Sequence, residues 1–569
     1  MNKNAHRLVY NRVRQMIVAV AEFATAHGNG KARGETAART ASQASVFGPS
    51  IRIMAWAAML LLGTASTYSI AQIVAAPGSG AQVIETRNGL PQVNIATPSA
   101  AGVSVGTFSQ FDVQRQGAIL NNSATITQTQ QAGFINGNAN LTPGNEARII
   151  VNQVMSNSPS QLRGALEVAG PRAEVIIANP NGLVVDGGGF INTSRAVLTT
   201  GTPSFGPSGN LAGFNVTGGN ITVQGAGLNA TNVDQVDILA RAIQVNAAIY
   251  ANNLNVIAGS NRLDHDTLTA SGNATVRAQS IDNHTGSMTA GRALNVATPG
   301  ALNNAGGTLS GSTTTVSGAS IDNTIGSIDG DTLSVSTPGN LNNRGGKLTQ
   351  YGAADQTIDV GDKLDNSGGT IATNATNLNV EAQDITNDKG KIQHAGSGTL
   401  AVIANGALSN VGGNVQTNGA LIAAGTSIDN TSGTLLAMRS ARVNGATGIV
   451  NRDGSFYGGN GLNVDVQGDF DNANGSAQTA GDLSINAGGA LNNAQGTIAA
   501  NGAHGTMAVT AARVDNTSGK LNNAGDGAMN INSSNTTVNA TNAMSNAGRI
   551  EGDAVTTNSA TAATRSTAA

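Results

Sequence analysis

The most regular feature of the chain is a pattern of hydrophobic and polar residues that recurs between residues 260 and 550. An aliphatic residue, a polar residue and an asparagine form a triplet, usually followed by the pattern x-x-Gly-x-Leu/Ile. Successive triplets lie 19 to 23 residues apart. A period this short, which tolerates small insertions, predicts one coil per repeat of a parallel β-solenoid. Leucine-rich repeats have a similar length, but their L-x-x-L-x-L signature and helical half are missing.

The triplet also predicts how each coil buries its side chains. Because side chains alternate between the two faces of a strand, the aliphatic residue and the asparagine should point inward, and the middle residue should face solvent. Stacked aliphatic side chains would form a narrow core, and the asparagines a ladder in which each amide donates to one neighbour and accepts from the other. The glycine three residues later is expected to open the corner. The predicted ladder asparagines are Asn283, Asn304, Asn323, Asn343, Asn366, Asn387, Asn410, Asn430, Asn451, Asn472, Asn493 and Asn516.

A second informative stretch lies earlier, between residues 161 and 201. Two short apolar runs, Glu174–Ala178 and Leu183–Val185, flank the sequence Asn-Pro-Asn-Gly at 179–182. Proline fixes φ near the value that the second turn position needs, and glycine suits the last position of a type I turn. A further strand, Arg195–Thr199, is expected after the break at 187–189.

The segments SQLRGALEV, VIIANPNGL and FINTSRAVLTTG resemble the two-partner-secretion (haemagglutination-activity) domain of filamentous haemagglutinins and contact-dependent-inhibition exoproteins. The second signature of that family is present at Asn179, Pro180, Asn181 and Gly182. The first, Asn-Pro-Asn-Leu, is matched by Asn138, Asn140 and Leu141, with Ala139 in place of the proline. The missing proline removes one constraint, so this turn is expected to be less secure.

The N-terminal segment has the features of an export signal. A basic leader, which resembles the extended signal peptide of type V secreted proteins, precedes the apolar run Ile53–Leu62. That run is too short to span a bilayer as a helix. Small residues then predict cleavage between Ala71 and Gln72, or alternatively after Ala76.

We therefore expect an all-β protein, a right-handed parallel β-helix with a short helical signal segment at the N-terminus. Residues 1–71 would be the extended signal peptide and 72–310 the two-partner-secretion domain. Repeats of about 21 residues would occupy 260–550, overlapping the end of that domain, and 551–569 would be a low-complexity tail.

Composition narrows the possibilities further. The 569 residues include 74 glycines, no cysteines and only 3% aromatic residues, so any core consists of small aliphatic side chains and no disulfide can form. A chain without cysteines is consistent with passage through an outer membrane in an unfolded state. Residues 1–52 carry a net charge of +6 and the remainder −9. This acidic remainder makes nucleic acid an improbable partner.

No catalytic, cofactor or metal site is predicted. Residues 102–106 fit the G-x-S-x-G nucleophile spacing, but Val103 and Val105 alternate through a strand and no helix pattern follows. The glycine-rich segment 185–189 does not recur as calcium-binding repeats do. The histidines are scattered, without the spacing of metal ligands, at His6, His27, His265, His284, His394 and His504.

These observations predict a secreted, non-enzymatic exoprotein that acts as an adhesin or haemagglutinin rod. The resemblance implies export through the periplasm to the surface of a Gram-negative bacterium, by an outer-membrane β-barrel transporter with periplasmic polypeptide-binding domains. It also implies a receptor on a host or neighbouring cell. One alternative is the N-terminal stalk of a contact-dependent growth inhibition toxin that lacks its toxin module. Another is a β-helix enzyme that degrades polysaccharides, which would need charged residues clustered in one groove.

Overall fold

The computed structural model describes residues 73–259 and 267–533, here called the N-terminal region and the repeat region. Outside them it describes only the backbones of six short strands, which are His6–Asn11, Met16–Ala21, Arg262–His265, Met544–Ser545, Arg549–Glu551 and Val555–Ser559. The chain divides into two units, Met1–Ile70 and Ala71–Ala569.

All regular structure in the described residues is β-strand. In the first unit, His6–Asn11 and Met16–Ala21 pair antiparallel. The apolar run 53–62, where the helical signal segment is expected, lies outside the described residues, as do Ala71 and Gln72 of the expected cleavage site. Within the part of the chain that the structure describes, no helix is long and apolar enough to cross a bilayer.

Most strands of the second unit belong to successive coils. The strands of the N-terminal region are Val74–Ala75, Gln82–Glu85, Pro91–Asn94, Val103–Gln110, Ala118–Asn121, Thr127–Thr129, Gly133–Ile135, Ile149–Val154, Ser160–Leu162, Ala165–Ala169, Ala173–Ala178, Leu183–Val185, Gly188–Ile191, Thr193–Thr199, Thr202–Phe205, Leu211–Asn215, Asn220–Val223, Leu228–Ala240, Ala242–Val245 and Ile249–Ala258. Those of the repeat region are Thr267–Ala270, Ala274–Arg277, Ser280–Asp282, Ser287–Ala290, Ala293–Ala297, Ala301–Asn303, Thr308–Ser317, Ser320–Asp322, Ser327–Thr337, Leu341–Asn342, Lys347–Gln350, Gln356–Val360, Lys363–Asp365, Thr370–Thr373, Leu378–Ala382, Asp384–Thr386, Lys391–His394, Thr399–Ala404, Ala407–Ser409, Asn414–Thr417, Ala420–Asp429, Thr434–Ala437, Ser440–Val450, Ser455–Gly458, Gly461–Val466, Asp469–Asp471, Ser476–Thr479, Asp482–Asn492, Thr497–Ala500, Met507–Asp515, Lys520–Asn523 and Met529–Ser533.

The coils form a parallel β-solenoid of about 18 turns, which confirms the predicted fold class. Each coil pairs in parallel with the next, so equivalent aliphatic residues stack into columns. Ile321, Leu341, Leu364 and Ile385 form one such column, and each is at most 1% exposed. Parallel pairing continues into the segment expected to be a low-complexity tail, where Val555–Ser559 pairs with the last strand of the repeat region.

The N-terminal region adds antiparallel strands to the solenoid. Val74–Ala75 pairs antiparallel with Val103–Gln110, and Gln82–Glu85 with Pro91–Asn94. Two hairpins, at residues 127–135 and 202–215, pair only within themselves. Each hairpin covers apolar side chains on the outer face of the coils, and sequence analysis did not anticipate either one.

The stretch 161–201 contains the three strands predicted for it and three more. Gly188–Ile191 forms a strand where a break was expected, and it pairs with Ala165–Ala169. A β-carbon on Gly188 would lie 2.9 Å from Cγ1 of Val185, and one on Gly189 would lie 3.1 Å from the carbonyl oxygen of Asn229. These glycines therefore permit close packing of the chain and do not end the strand.

Candidate functional site: two kinds of asparagine turn

The second asparagine motif, Asn179–Gly182, is a turn held by one buried side chain. The backbone NH of Gly182 donates to the carbonyl oxygen of Asn179 (2.9 Å), and the NH of Asn181 donates to Oδ1 of Asn179 (3.0 Å). Nδ2 of Asn179 donates to the carbonyl oxygen of Ser158 (2.9 Å) and to Oγ of Ser160 (3.0 Å). The Asn179 side chain therefore closes its own turn and also joins it to the preceding coil.

The other residues of this motif reinforce the same connection. Nδ2 of Asn181 donates to the carbonyl oxygen of Ser156, which also precedes the motif. Gly182 has φ of 116°, and a β-carbon there would lie 2.6 Å from the carbonyl oxygen of Asn220 in the following coil. Glycine is needed here for both its conformation and its small size.

The first asparagine motif, Asn138–Leu141, has the same hydrogen bonds without a proline. The NH of Leu141 donates to the carbonyl oxygen of Asn138 (3.1 Å), and the NH of Asn140 donates to Oδ1 of Asn138 (2.9 Å). Nδ2 of both asparagines donates to the carbonyl oxygen of Ile95, at 2.9 and 3.0 Å. Leu141 is buried in the main core. This turn closes with Ala139 at the position where the family has proline.

The asparagines of the repeat region form a continuous chain of hydrogen bonds. From Asn283 to Asn516, Nδ2 of each ladder residue donates to Oδ1 of the next, which gives eleven bonds between side chains. Ten of them measure 2.6 to 2.8 Å. Every ladder side chain is fully buried. Oδ1 of Asn283, the first acceptor of the ladder, makes no hydrogen bond to the residues that the structure describes.

The glycine that follows each ladder asparagine has a different role from the expected one. In the turn after Asn430, the NH of Gly433 donates to the Asn430 carbonyl oxygen (2.9 Å), but the positive φ belongs to Ser432. A β-carbon on Gly433 would lie 2.1 Å from the carbonyl oxygen of Asn410 and 2.6 Å from Oδ1 of Asn430. The glycine is therefore present because the ladder leaves no room for a side chain.

The residue with positive φ is often not glycine. The non-glycine residues at this position are Thr285, Ile325, Lys389, Ser432, Asp453, Asn474, Gln495 and Ser518. Gly306, Gly345, Gly368 and Gly412 occupy it in the other four turns. Residues other than glycine, asparagine and aspartate are strained in this conformation, so most of these eight turns carry a local cost that the other four avoid, and Asp453 and Asn474 are the least affected.

The middle residue of the triplet was expected only to face solvent, but it also accepts a hydrogen bond within the turn. Oδ1 of Asp429 accepts the backbone NH of Thr431 (2.9 Å), and Oδ1 of Asp365 accepts that of Ser367 (3.0 Å). Burial alone would raise the pKa of Asp365. The hydroxyl and NH of Ser367, together with nearby Lys363 and Arg344, outweigh burial and hold that pKa below its usual value. The middle residue thus caps the turn by accepting the NH two residues later, as aspartate does in an ordinary Asx turn.

Buried charges in the N-terminal region fasten strands and a hairpin. Glu167 is 3% exposed, and its carboxylate accepts the backbone NH groups of Gln130 (2.6 Å) and Gln131 (2.9 Å) at the tip of the first hairpin. On three strands that pair in succession, Arg195 donates to Asp237 (2.5 Å) and lies 3.3 Å from Glu174. Burial raises the pKa of Glu174, and Asp237 adds to this, while Arg195 opposes it.

Sequence analysis examined Ser104 as a nucleophile and His394 as a metal ligand. In the structure, both side chains form hydrogen bonds within the solenoid. Ser104, in the G-x-S-x-G segment, is 1% exposed within a strand and donates to the carbonyl oxygen of Ala96 (2.7 Å). His394 is buried, with Nδ1 2.8 Å from Oγ1 of Thr417 and Nε2 2.9 Å from the carbonyl oxygen of Ala375. No group of three or more potential metal ligands occurs among the residues with described side chains.

The chain matches two family models. Residues 71–343 match the TPS secretion domain, and residues 1–51 match the Extended Signal Peptide of Type V secretion system. The first match includes both asparagine motifs and the first rungs of the ladder, up to Asn343.

Curated relatives align with part of this chain. It is 52% identical over 271 residues to the tRNA nuclease CdiA-2 of Burkholderia pseudomallei (strain 1026b), which covers 48% of this chain and 9% of that protein. It is 44% identical over 272 residues to the Toxin CdiA of Yersinia pestis, which covers 46% of this chain and 8% of that protein. The chain thus spans less than a tenth of these relatives. A crystal structure of a filamentous hemagglutinin secretion domain is 26% identical and covers 58% of this chain and 98% of that one, with a TM-score of 0.32.

Proposed function

We propose that this chain, a two-partner exoprotein of the filamentous-haemagglutinin and CdiA type that is exported across the Gram-negative envelope, uses its two asparagine motifs to guide folding during export. The secretion domain implies a cognate outer-membrane transporter. We further propose that periplasmic domains of this transporter bind the unfolded secretion domain, which then folds first at the surface. The rod that follows acts as an adhesin.

The direction of the motif hydrogen bonds carries the folding proposal. Asn179 and Asn181 donate to carbonyl groups of Ser156 and Ser158, which precede them in the chain. Asn138 and Asn140 likewise donate to residues that precede them, including Ile95. If the N-terminus of the chain emerges first, the residues that each motif binds are already in place when the motif emerges. Adding a coil to an existing edge avoids the cost of nucleation.

The ladder continues this process in the repeat region. The most recently added asparagine offers its Nδ2 at the growing edge, and the next coil supplies the Oδ1 that accepts its hydrogen bond. Folding outside the cell can therefore draw the chain outward one coil at a time, without ATP. The same rigid solenoid would hold binding surfaces away from the bacterial envelope.

The CdiA relatives favour a second candidate, the stalk of a growth-inhibition exoprotein. In that role the rod would present a distal module to a neighbouring cell. The nuclease named in one relative is not carried over to this chain, because the aligned part is only 9% of that protein. Adherence to epithelial cells compared with adherence to other bacteria separates the two candidates.

Secretion of variants with the transporter tests the folding proposal. We expect Asn181→Ile and Pro180→Leu to reduce the secreted amount of the full chain, and residues 1–310 to suffice for secretion of the unaltered sequence. Asn430→Ala is the control, because it weakens the repeat region and leaves both motifs intact. Normal secretion of the Asn181→Ile protein contradicts the proposal. A loss strictly proportional to lost thermal stability shows that the motif only stabilises a turn.

A further inference from the structure

One column of outward residues on the repeat region is mostly uncharged, and at Leu436 and Tyr457 it carries large apolar side chains. Its outward residues Gln393, Gln416, Leu436 and Tyr457 occupy equivalent positions on four successive coils. All four are partly exposed. With about 4.8 Å between paired strands, this Gln393–Tyr457 strip is roughly 14 Å long.

A shallow groove runs beside the strip, along the axis of the coils. Its other wall is at the corner, where Met438 is 57% exposed and Asn418 is also exposed. Its floor contains His394 and Thr417, which are buried and lie 2.8 Å apart through Nδ1 and Oγ1. Thr417 also accepts the backbone NH of Gly419 (2.9 Å), so the floor is fixed by its own hydrogen bonds.

The lining has the chemistry of a site for uncharged polar molecules. The side-chain amides of Gln393 and Gln416 make no hydrogen bond to other described residues, so both retain donors and acceptors. Leu436 and Met438 add apolar surface, and Tyr457 extends it with an aromatic ring. No Asp, Glu, Lys or Arg lines the groove, although Lys391 and Arg439 are exposed nearby.

We propose that the Gln393–Tyr457 strip binds a neutral, extended oligosaccharide. Sugar hydroxyl groups would pair with the free amides, and the apolar faces of the rings would lie on Leu436, Met438 and Tyr457. The groove extends over three successive coils, and the coil spacing is close to the length of one sugar ring in an extended chain. This inference rests on the proposed adhesin role and specifies its ligand class and its position on the rod.

Binding by the full secreted chain tests the inference, with cellohexaose, chitohexaose and lacto-N-tetraose as neutral probes and a heparin hexasaccharide as the charged comparison. We expect at least one neutral probe to bind, with affinity lowered at least tenfold by Tyr457→Ala and several-fold by Gln416→Ala. Tyr250→Ala is the matched control, because Tyr250 is a 45% exposed tyrosine in the N-terminal region and should leave binding unchanged. Equal thermal unfolding of all variants shows that their coils are intact.

The inference is overturned if no neutral probe binds, if only heparin binds, or if all variants bind equally. It is also overturned if Tyr457→Ala reduces adherence to cells but changes binding to none of the oligosaccharides, which would assign the strip to a protein partner. The adhesin role fails separately, when exported wild-type protein mediates no adherence. If Tyr457→Ala leaves both export and adherence unchanged, the adhesin role stands and this site does not.

Discussion

Asn179 in the secretion domain and Asn430 in the repeat region are both fully buried, yet they use their side chains differently. Oδ1 of Asn179 accepts the NH of Asn181 within the same turn, and Nδ2 reaches back to Ser158. Oδ1 of Asn430 instead accepts from Asn410 of the preceding coil, and Nδ2 donates forward to Asn451. The secretion-domain turn is therefore complete once its own coil has formed, whereas each ladder turn also depends on the coil that follows.

The glycine that ends each turn shows the same difference. Gly182 adopts a positive φ that most residues avoid, so its backbone conformation requires glycine. Gly433 has no such φ, but the ladder asparagines on both sides leave no space for a β-carbon. In the Asn-Pro-Asn-Gly motif the glycine is thus required by local conformation as well as by packing, whereas in the Asn-x-x-Gly turns of the ladder it is required by packing between coils alone.

The largest expected effect follows from this packing. Gly433→Ala places a β-carbon 2.1 Å from the Asn410 carbonyl oxygen, a backbone atom that cannot move without disturbing the ladder. We expect a loss of about 3 kcal/mol in the free energy of unfolding, measured with denaturant, and a new protease site near residue 433. Ser432→Ala is the control, since the exposed neighbour should change stability by less than about 0.5 kcal/mol. Equal effects of the two substitutions would contradict the packing explanation.

Removing one ladder asparagine should lower the free energy of unfolding by less than Gly433→Ala does. In Asn430→Ala, Oδ1 of Asn451 loses its donor, while Nδ2 of Asn410 retains contacts with the carbonyl oxygens of Gly413 and Thr434. We expect a destabilisation of about 1–3 kcal/mol, and similarly for Asn387→Ala. Because neighbouring coils dominate solenoid energetics, limited proteolysis should detect damage only around the altered coil. Collapse of the whole rod in one step would show that the ladder is cooperative over its full length.

Gln356 is a buried polar side chain that lies in a column of leucines. It is 2% exposed and takes the place of the leucine found in the adjacent coils at Leu333 and Leu378. Neither atom of its amide makes a hydrogen bond to a described residue. Gln356→Leu should therefore stabilise the protein by about 1–3 kcal/mol, seen as a higher midpoint of chemical unfolding. Gln350→Leu should do the opposite, because the Gln350 amide binds Leu333 NH and Gly352 carbonyl. A loss of stability in Gln356→Leu would indicate a partner for this amide that the static structure lacks.

The features that the sequence predicts most completely are those that repeat. The ladder positions and the solenoid followed from the spacing of the triplets, since every coil repeats the same alternation. Apart from the turn at Asn179–Gly182, which its own motif predicts, single features without a period were missed. The hairpin held by Glu167 and the unpaired amide of Gln356 depend on residues distant in sequence. The strain at Ser432 was missed because the conspicuous Gly433 beside it was taken to open the corner.

The smallest predicted effect concerns that strain alone. Ile325 has φ of 56° and is 75% exposed, so a β-branched side chain occupies a left-handed conformation without burying much surface in return. The left-handed conformation costs a non-glycine residue about 1–2 kcal/mol, a cost that glycine avoids. Glycine in turn costs about 0.5–1 kcal/mol, because its unfolded chain is more flexible and loses more entropy on folding. We therefore expect Ile325→Gly to stabilise the protein by up to about 1 kcal/mol in thermal or chemical unfolding. Gly345→Ile, in the next turn, is the reciprocal change. A β-carbon on Gly345 would lie 3.7 Å from Cγ1 of Ile325, an ordinary contact, so its destabilising effect would come from φ rather than from a clash. If both substitutions have the same sign, packing between the turns governs this position, and backbone strain does not.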